Sequence, residues 1–269
     1  MSDLYMPRLK VQQAIGDVLA ALRHRHLWMA LGTLDIKQRY KRSVIGPFWI
    51  TLNLAILILG IGLIYGNVLQ TLHSSYIPYL AVGIIVWTFI STTIIEGASI
   101  FIAEGSLIKG ATLSKIIYIF RGIWRNLWIL GHNLLILVPI FFLYRLFPGI
   151  GLLGAIAGLV LVTLFLVTSS LLLAVIGARY RDVPPAVAGL MQLFFFGTPI
   201  IWEAEALRAH QWIITYNPLF HVIETVRAPL LEGTIPLCSF AVTAALALLT
   251  AGLALLAYAR ARNKIVFWL

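Results

Sequence analysis

Residues 48–66 read FWITLNLAILILGIGLIYG, and residues 77–95 read IPYLAVGIIVWTFISTTII. Both stretches lie in one interval, between Arg42 and Glu96, that contains no Asp, Glu, Lys or Arg. A membrane-spanning helix needs roughly 20 apolar residues, so the interval predicts two spans, at residues 48–67 and 77–98, with the polar residues 67–75 as the turn between them. The apolar runs are continuous and do not alternate with polar residues, which favours helices over the strands of a membrane barrel.

The composition of the whole chain supports this interpretation. Of its 269 residues 61% are hydrophobic and only 11% are charged, whereas a soluble domain has about 25% charged residues. Four further intervals are free of charge, and each predicts one span: Arg125 to Arg145, Arg145 to Arg179, Asp182 to Glu203, and Glu232 to Arg260. We therefore expect an all-α, polytopic membrane protein with six transmembrane helices.

The basic residues are distributed very unevenly about these spans. Seventeen of the twenty Lys and Arg residues fall on one side, in residues 1–47, in the loops that include Lys109 and Arg179, and in the tail from residue 260. The other side has Arg145, Arg208 and Arg227. Because cytoplasmic loops carry the excess of basic residues, we expect both termini in the cytoplasm. The net charge of +10 then reflects topology and does not indicate nucleic-acid binding.

Two segments are neither spans nor simple loops. Residues 8–23 place Val11, Ile15, Val18 and Leu22 on one helical face, which is typical of a helix lying on the membrane surface; an ordinary soluble helix is the alternative. Residues 203–235 mix apolar and charged residues and are interrupted at Asn217-Pro218. They predict short periplasmic re-entrant helices between the fifth and sixth spans, with a plain exposed loop as the alternative.

These boundaries divide the chain into three regions. Residues 1–47 form a cytoplasmic amphipathic N-terminal region, residues 48–259 the transmembrane domain, and residues 260–269 a cytoplasmic tail. Gly62 and Gly66, and Gly154 and Gly158, have the spacing that lets helices approach closely. We expect this spacing to serve packing within the chain rather than dimerisation.

The sequence lacks the motifs of the main classes of intramembrane enzyme and of nucleotide-binding proteins. It has no H-E-x-x-H and no G-x-S-x-G. Gly105 to Gly110 resembles the start of a P-loop, but Ala111 replaces the essential Lys. His221 and Glu224 supply too few ligands for a metal, and a hydrogen-bonded helix end is the favoured interpretation of this pair. The single cysteine, Cys238, cannot form an intrachain disulfide. We therefore predict no enzyme activity, no metal and no nucleotide site in this chain.

Four motifs resemble one family of transporters. They are DIKQRYKRSVIGPFW at residues 35–49, ARYRDVP at 178–184 with FFFGTPIIW at 194–202, YNPLFH at 216–221, and ETVRAP at 224–229. In this order they are similar to the ABC-2 type polysaccharide export permeases, most closely the O-antigen (lipopolysaccharide) branch, with capsule and teichoic-acid permeases as relatives. The resemblance runs from about residue 33 to the C-terminus. Many relatives have a Phe-Pro-Arg element in the second cytoplasmic loop, and residues 112–121 contain no proline.

The resemblance implies a homodimer of this subunit with two cytoplasmic ABC ATPase subunits, in a bacterial inner (plasma) membrane. ATP and Mg would be held by those subunits, so the chain itself would bind no cofactor. The substrate would be a polysaccharide linked to undecaprenyl diphosphate, moved from the cytoplasm to the periplasmic face.

The residues of this chain suggest three parts of such a machine. Aromatic rings stack on sugars, and the candidates for the substrate channel are Tyr65, Phe194, Phe195, Phe196 and Trp202. Cations bind diphosphate, and the candidates for the cytoplasmic gate are Arg39, Lys41, Arg42, Arg179 and Arg181. The candidates for ATPase coupling lie in the second cytoplasmic loop and are Glu104, Lys109, Lys115 and Arg121. Aromatic residues also anchor helices at membrane interfaces, and basic residues also set topology.

One further expectation concerns the fifth span. Asp182 precedes Pro184-Pro185, so we expect its carboxylate to cap the helix that begins there. Capping gives a structural reason for the Asp182 carboxylate. It does not explain the two neighbouring arginines, Arg179 and Arg181.

Other functions remain open at this level. They are an ABC-2 exporter of capsule or teichoic polymer, drug or lipid; an intramembrane glycan-processing enzyme; and a passive membrane scaffold.

Overall fold

The computed structural model describes residues 5–39, 41–46, 48–68, 76–110, 113–203 and 211–269. All regular secondary structure within these ranges is helical. The helices are α1 (Tyr5–Arg23), α2 (Arg25–Arg39), α3 (Phe48–Val68), α4 (Tyr76–Ala103), α5 (Gly105–Gly110), α6 (Ile116–Leu134), α7 (Leu137–Leu143), α8 (Gly151–Arg179), α9 (Val183–Gly197), α10 (Gln211–Thr215), α11 (Pro218–Leu231), α12 (Leu237–Ala261) and α13 (Ile265–Trp268). The predicted all-α class is confirmed.

Four helical segments of the described chain are long and apolar enough to cross a membrane. They are Tyr76–Ala103, Ile116–Leu143, Gly151–Arg179 and Leu237–Ala261. Two shorter apolar segments, Phe48–Ile64 and Val183–Gly197, fall where the first and fifth spans were predicted. The 15 residues of α9 extend only about 22 Å, less than the roughly 30 Å of hydrocarbon. A multi-pass membrane protein is confirmed, while the count of six spans stays a prediction.

The helix of the third predicted span begins before the charge-free interval that predicts it. The charge-free interval starts after Arg125, but α6 begins at Ile116 and contains both Arg121 and Arg125. The helix can continue through these residues because each arginine is paired with carboxylates from neighbouring helices.

Helix α8 is the centre of the bundle and packs against α4, α11 and α12. Its glycines make these contacts close. A Cβ atom added at Gly158 would lie 2.0 Å from the backbone oxygen of Thr225, and one added at Gly177 would lie 2.0 Å from that of Ala98. Small residues allow membrane helices to approach in this way. A Cβ at Gly154 would likewise meet Pro229, so the expected packing within the chain is confirmed for the pair Gly154 and Gly158.

The outside of the bundle is apolar over most of its height. Large hydrophobic side chains are exposed on α3, α8 and α12, among them Ile56, Leu63, Val160, Leu248 and Leu249. Water would penalise so large an apolar surface, whereas lipid does not.

The N-terminal and C-terminal regions meet at one end of the bundle. Arg262 forms a bidentate pair with Asp17 of α1, and the Tyr258 hydroxyl donates to the same carboxylate at 2.9 Å. The Ser114 hydroxyl donates to the backbone oxygen of Asp17 at 3.1 Å. Helix α1 therefore packs against α12, with Val11 and Val18 against the core and Ile15 and Leu22 exposed. Its position on the membrane surface, and the three regional boundaries, stay predictions.

The opposite end holds α10 and α11. Asn217 caps α11, and its side chain accepts hydrogen bonds from the backbone nitrogens of Leu219 at 3.0 Å and Phe220 at 3.3 Å. Two short helices separated at Asn217-Pro218 are present as predicted, and their entry into the bilayer stays a prediction. Arg208, one of the three basic residues assigned to this side, lies outside the described residues.

The close contacts of α8 can be tested with single methyl groups. We expect Gly158→Ala and Gly177→Ala to force α8 away from α11 and α4, at a cost of about 1–3 kcal/mol each. The measurement is the thermal midpoint of the detergent-solubilised protein. Gly252→Ala on α12 is the control, because a Cβ there meets nothing within 4 Å. Unchanged midpoints for both α8 variants would contradict the packing.

Candidate functional site

A non-helical segment, residues 198–203, follows α9 directly. Its backbone oxygens are paired by side chains from other elements. The Tyr79 hydroxyl donates to the oxygen of Pro199 at 3.1 Å, and the Tyr76 hydroxyl donates to that of Ile201 at 2.8 Å. The Asn217 amide donates to the hydroxyl oxygen of Thr198 at 2.9 Å. Irregular backbone at membrane depth needs such partners, because lipid supplies none.

Arg227 is the most deeply buried charge of this region, with 2% of the residue exposed. Its guanidinium pairs with the Glu224 carboxylate one turn earlier on α11. It also donates to the Pro199 oxygen at 2.7 Å and lies 3.9 Å from the centre of the Tyr79 ring. Gly83 on α4 lies beside it, since a Cβ there would be 3.4 Å from the guanidinium. Arg227 therefore joins α4, α11 and residues 198–203.

Both ring nitrogens of His221 also have hydrogen-bond partners within the protein. Its ring nitrogens contact the Ser239 hydroxyl at 3.0 Å and the Thr215 oxygen at 2.9 Å. The hydrogen-bonded interpretation of His221 is confirmed, and Glu224 serves Arg227 rather than a metal.

The predicted channel aromatics differ in exposure and packing. Phe194 and Phe196 are exposed, whereas Phe195 is half-buried with its ring centre 5.7 Å from that of Trp87. The Trp202 indole donates to the Phe196 oxygen at 3.3 Å. Tyr65 lies in the last turn of α3, and its side chain is outside the described part of the protein.

Phe194 borders an open cavity of about 470 Å³ between α9 and the outer helices. Trp212, Tyr216 and Asn217 line the other side. One predicted channel residue therefore lies in a cavity with two further aromatic rings, while Phe195 packs away from it.

The gate candidates form two groups. Arg39, Lys41 and Arg42 are exposed at and after the end of α2, a helix positioned by α6. Arg179 and Arg181 lie at and after the end of α8 and contact the C-terminal residues. The Arg179 guanidinium stacks on the rings of Tyr180 and Trp268, and Arg181 donates to the Trp268 oxygen at 3.1 Å. In the described part of the chain, no hydrogen bond or ion pair joins the two groups.

The expected capping by Asp182 is wrong. Asp182 stands at the N-cap of α9, but its side chain makes no capping hydrogen bond. Two physical reasons are visible. Its backbone is helical, at φ −81° and ψ −14°, whereas a capping residue is normally extended. Pro184 and Pro185 occupy the positions whose backbone N–H groups a cap would accept from, and proline has no N–H.

The coupling candidates also differ, because one is exposed and the others are partly buried or paired. Lys109 is exposed on α5. Lys115 is partly buried beside α1, and this burial lowers the pKa of its ammonium group, an effect opposed by the charge of Asp17. Hydrogen bonding to Asp17 raises the pKa of the neighbouring Arg262. Glu104 and Arg121 pair with each other at 2.9 Å.

That pair belongs to a cluster of five charges, which we call the Arg121 cluster: Asp35, Glu96, Glu104, Arg121 and Arg125. Arg121 holds Asp35 of α2 in a bidentate pair at 2.7 and 2.8 Å. Arg125 bridges Asp35 at 3.3 Å and Glu96 of α4 at 2.8 Å. These side chains are 15–31% exposed, so the cluster is partly withdrawn from water. It ties α2, α4 and α6 together.

Sequence reasoning missed this cluster and an aromatic column beside it. Phe120, Trp124, Trp128 and His132 recur at four-residue spacing and therefore share one face of α6. The ring centres of Trp124 and Trp128 are 6.3 Å apart, and Trp28 of α2 lies 5.5 Å from Phe120. The spacing could have revealed the column, whereas nothing in the sequence could have paired Arg121 with Asp35.

The Arg121 cluster can be tested by removing its central charge. We expect Arg121→Met to leave Glu104 without its partner and Asp35 with only its longer contact to Arg125, and to lower the free energy of unfolding by about 1.5–3 kcal/mol. It should also speed limited proteolysis around α2. Lys37→Met, at an exposed position of α2, is the control and should cost less than about 0.5 kcal/mol. Equal effects of the two substitutions would show that the cluster does not hold α2.

Comparison with known proteins identifies the family. A family model described as ABC-2 type transporter matches residues 26–231, from α2 to the end of α11. Two O-antigen export system permease proteins RfbA from Klebsiella pneumoniae are each 24% identical over 215 residues, covering 78% of this chain and 82% of the relative. A protein of the same name from Myxococcus xanthus is 22% identical over 217 residues, covering 80% of this chain and 84% of the relative. The family predicted from the four motifs is confirmed: the chain belongs to the ABC-2 type transporter family.

Proposed function

We propose that this protein is the membrane permease subunit of an ABC transporter that exports a lipid-linked polysaccharide of the O-antigen type. The observation that carries the proposal is the similarity to O-antigen export permeases over about four fifths of the chain. The helical bundle with its apolar exterior supports membrane transport. The substrate in this proposal is a polysaccharide attached to undecaprenyl diphosphate.

The proposed complex contains two copies of this chain and two cytoplasmic ABC ATPase subunits. Six spans and cytoplasmic termini accord with the meeting of α1 and the end of α12 at one end of the bundle. The same end carries the exposed cations Arg39, Arg42, Arg179 and Arg181, and we assign it to the cytoplasm of a bacterial cell.

The α5 helix is the proposed contact with the ATPase subunit. It presents Lys109 at the surface, while Glu104 just before it is bound to Arg121. A movement of α5 would therefore displace Glu104, and through its ion pair with Arg121 it would displace the Arg121 cluster and α4. A cysteine at position 109 should crosslink to the ATPase subunit, and crosslinking from position 39 but not from 109 would move the contact to α2.

The cytoplasmic arginines are the proposed binding site for the substrate's diphosphate. Arginine binds phosphate oxygens through two parallel hydrogen bonds. Arg179 and Arg181 are exposed but also touch the C-terminal residues, so a test must separate substrate binding from anchoring of the tail.

We expect the double substitution Arg179→Ala and Arg181→Ala to weaken stimulation of ATP hydrolysis by lipid-linked polysaccharide. A lost charge-assisted contact of about 1.5–3 kcal/mol corresponds to roughly a 10- to 150-fold rise in the half-saturating concentration. The assay uses the permease co-purified with its ATPase subunit and reconstituted in lipid. Arg181→Lys should restore only part of the loss, because a point charge cannot replace the planar fork.

Trp268→Leu is the control for the tail. It removes the ring on which Arg179 stacks but keeps both arginines. If the arginines bind substrate, this variant should respond to polysaccharide like the wild type. A loss equal to that of the double alanine variant would assign the arginines to the tail and remove the gate.

A further inference from the structure

One short segment, residues 266–269, contacts two of the proposed working parts at once. The guanidinium of Arg181, a gate candidate, donates from Nη2 to the backbone oxygens of Trp268 at 3.1 Å and Leu269 at 3.4 Å. In addition, a Cβ atom added at Gly105, the first residue of α5, would lie 3.6 Å from the Cβ of Leu269. The segment therefore joins the proposed diphosphate site to the proposed ATPase contact, and we call it the latch.

The nitrogen that the latch occupies is the one that bidentate binding needs. A planar guanidinium binds two oxygens side by side either through Nε and Nη2 or through its two terminal nitrogens, so Nη2 belongs to both pairs. Arg121 binds Asp35 through Nε and Nη2. Arg262 binds Asp17 through the same two nitrogens. A diphosphate that binds Arg181 in either way must therefore compete with the latch for Nη2.

A diphosphate is the stronger ligand for Arg181. The latch offers neutral carbonyl oxygens, and Arg181 is exposed to water, so these hydrogen bonds stabilise the docked latch only weakly. Diphosphate oxygens carry charge and accept two parallel hydrogen bonds from one guanidinium. Arg179 is available to the same ligand, because among the described residues its guanidinium stacks on two rings but makes no hydrogen bond. A diphosphate held by Arg179 would then displace the latch from Arg181.

The chain is fixed immediately before the latch. Ile265 is fully buried, and Arg262 is held by Asp17 of α1. Within the latch, Phe267 is 87% exposed and the other three residues are only partly buried. Segments with few buried apolar contacts are the first to open. Residues 266–269 can therefore leave Arg181 while the preceding part of the tail stays in place.

Release of the latch would remove a main neighbour of α5. This helix packs mainly against α4, which precedes it in the chain, and against α13, which contains most of the latch. Glu104, the residue before α5, would stay bound to Arg121. The surface of α5 that carries Lys109 would then be restrained from α4 alone.

We propose that the latch is an autoinhibitory contact. Docked on Arg181, it holds α5 in a resting position, and a diphosphate that binds Arg181 releases it, so that the ATPase subunit responds to a bound substrate. This inference rests on the proposed function and adds a means of regulation to it. The Trp268 side chain is not needed for these contacts, because both oxygens belong to the backbone and the contact with α5 is made by Leu269.

The first test fixes the latch to α5 by a reversible bond. The 3.6 Å between the two Cβ positions is within the range for a disulfide, about 3.5–4.5 Å. We expect Gly105→Cys with Leu269→Cys to form a disulfide on oxidation, in a Cys238→Ser background that removes the exposed native cysteine. In the complex with the ATPase subunit, lipid-linked polysaccharide should then no longer raise ATP hydrolysis above the basal rate. Reduction of the same sample should restore the stimulation.

The second test breaks the contact with α5. Leu269→Ser should raise the basal rate of ATP hydrolysis, measured without polysaccharide, roughly 2- to 5-fold, as expected for one lost, partly buried contact. The maximal rate with polysaccharide should stay unchanged, so the stimulation should fall by the same factor. Phe267→Ser is the matched control, because this neighbouring apolar side chain is exposed; both of its rates should equal those of the wild type.

Several results would overturn the inference. Undiminished stimulation of the oxidised complex would show that the latch need not move, and failure of the disulfide to form would show that the contact is absent. Stimulation that reduction does not restore, or a higher basal rate in Phe267→Ser as well, would indicate general damage. An unchanged basal rate in Leu269→Ser would show that the latch does not restrain the ATPase subunit. If polysaccharide fails to stimulate even the wild-type complex, the proposed function falls together with the latch.

Discussion

Lipid offers no hydrogen bonds, so every charge and every irregular backbone group at membrane depth must find its partner inside the protein. Charges and irregular backbone find such partners at two places in this bundle. At one end, Arg227 and the tyrosines of α4 pair the backbone of residues 198–203. At the other, Arg121 and Arg125 neutralise carboxylates from α2, from α4 and from Glu104, the residue between α4 and α5. Without the first set of partners, α9 could not end where it does. Without the second set, α6 could not carry its two arginines.

Helix α4 connects these two places. It contributes Tyr76 and Tyr79 to the first and Glu96 to the second, and most of its residues are buried. Glycine contacts with α8 fix it to the centre of the bundle, since a Cβ at Gly97 would lie 2.6 Å from the Ser170 hydroxyl. In the proposed function, a displacement at α5 would reach residues 198–203 along this one helix.

Much of the fold follows from the sequence because lipid imposes long, charge-free helices. The start of α3, the end of α8 at Arg179 and the break at Asn217-Pro218 could all be read from charge and proline. Pairing between distant elements could not: Arg121 and Asp35 are 86 residues apart, and neither has a local signal that selects the other. For that reason the start of α6 and the burial of Glu104 and Arg121 escaped prediction. At Asp182 a local rule failed instead. The residue stands where a capping side chain is expected, but Pro184 and Pro185 lack the N–H groups that a cap would accept from.

The central claim is that this chain carries a lipid-linked polysaccharide across the membrane at the expense of ATP hydrolysed by a partner subunit. The most direct measurement places the reconstituted complex in proteoliposomes that contain the lipid-linked polymer, with ATP available only to the ATPase subunit. Access of a glycan-binding lectin from the opposite face reports translocation. We expect ATP-dependent lectin binding that disappears when the ATPase subunit cannot hydrolyse ATP. Normal ATP hydrolysis without any gain in lectin binding over that inactive complex would contradict the claim.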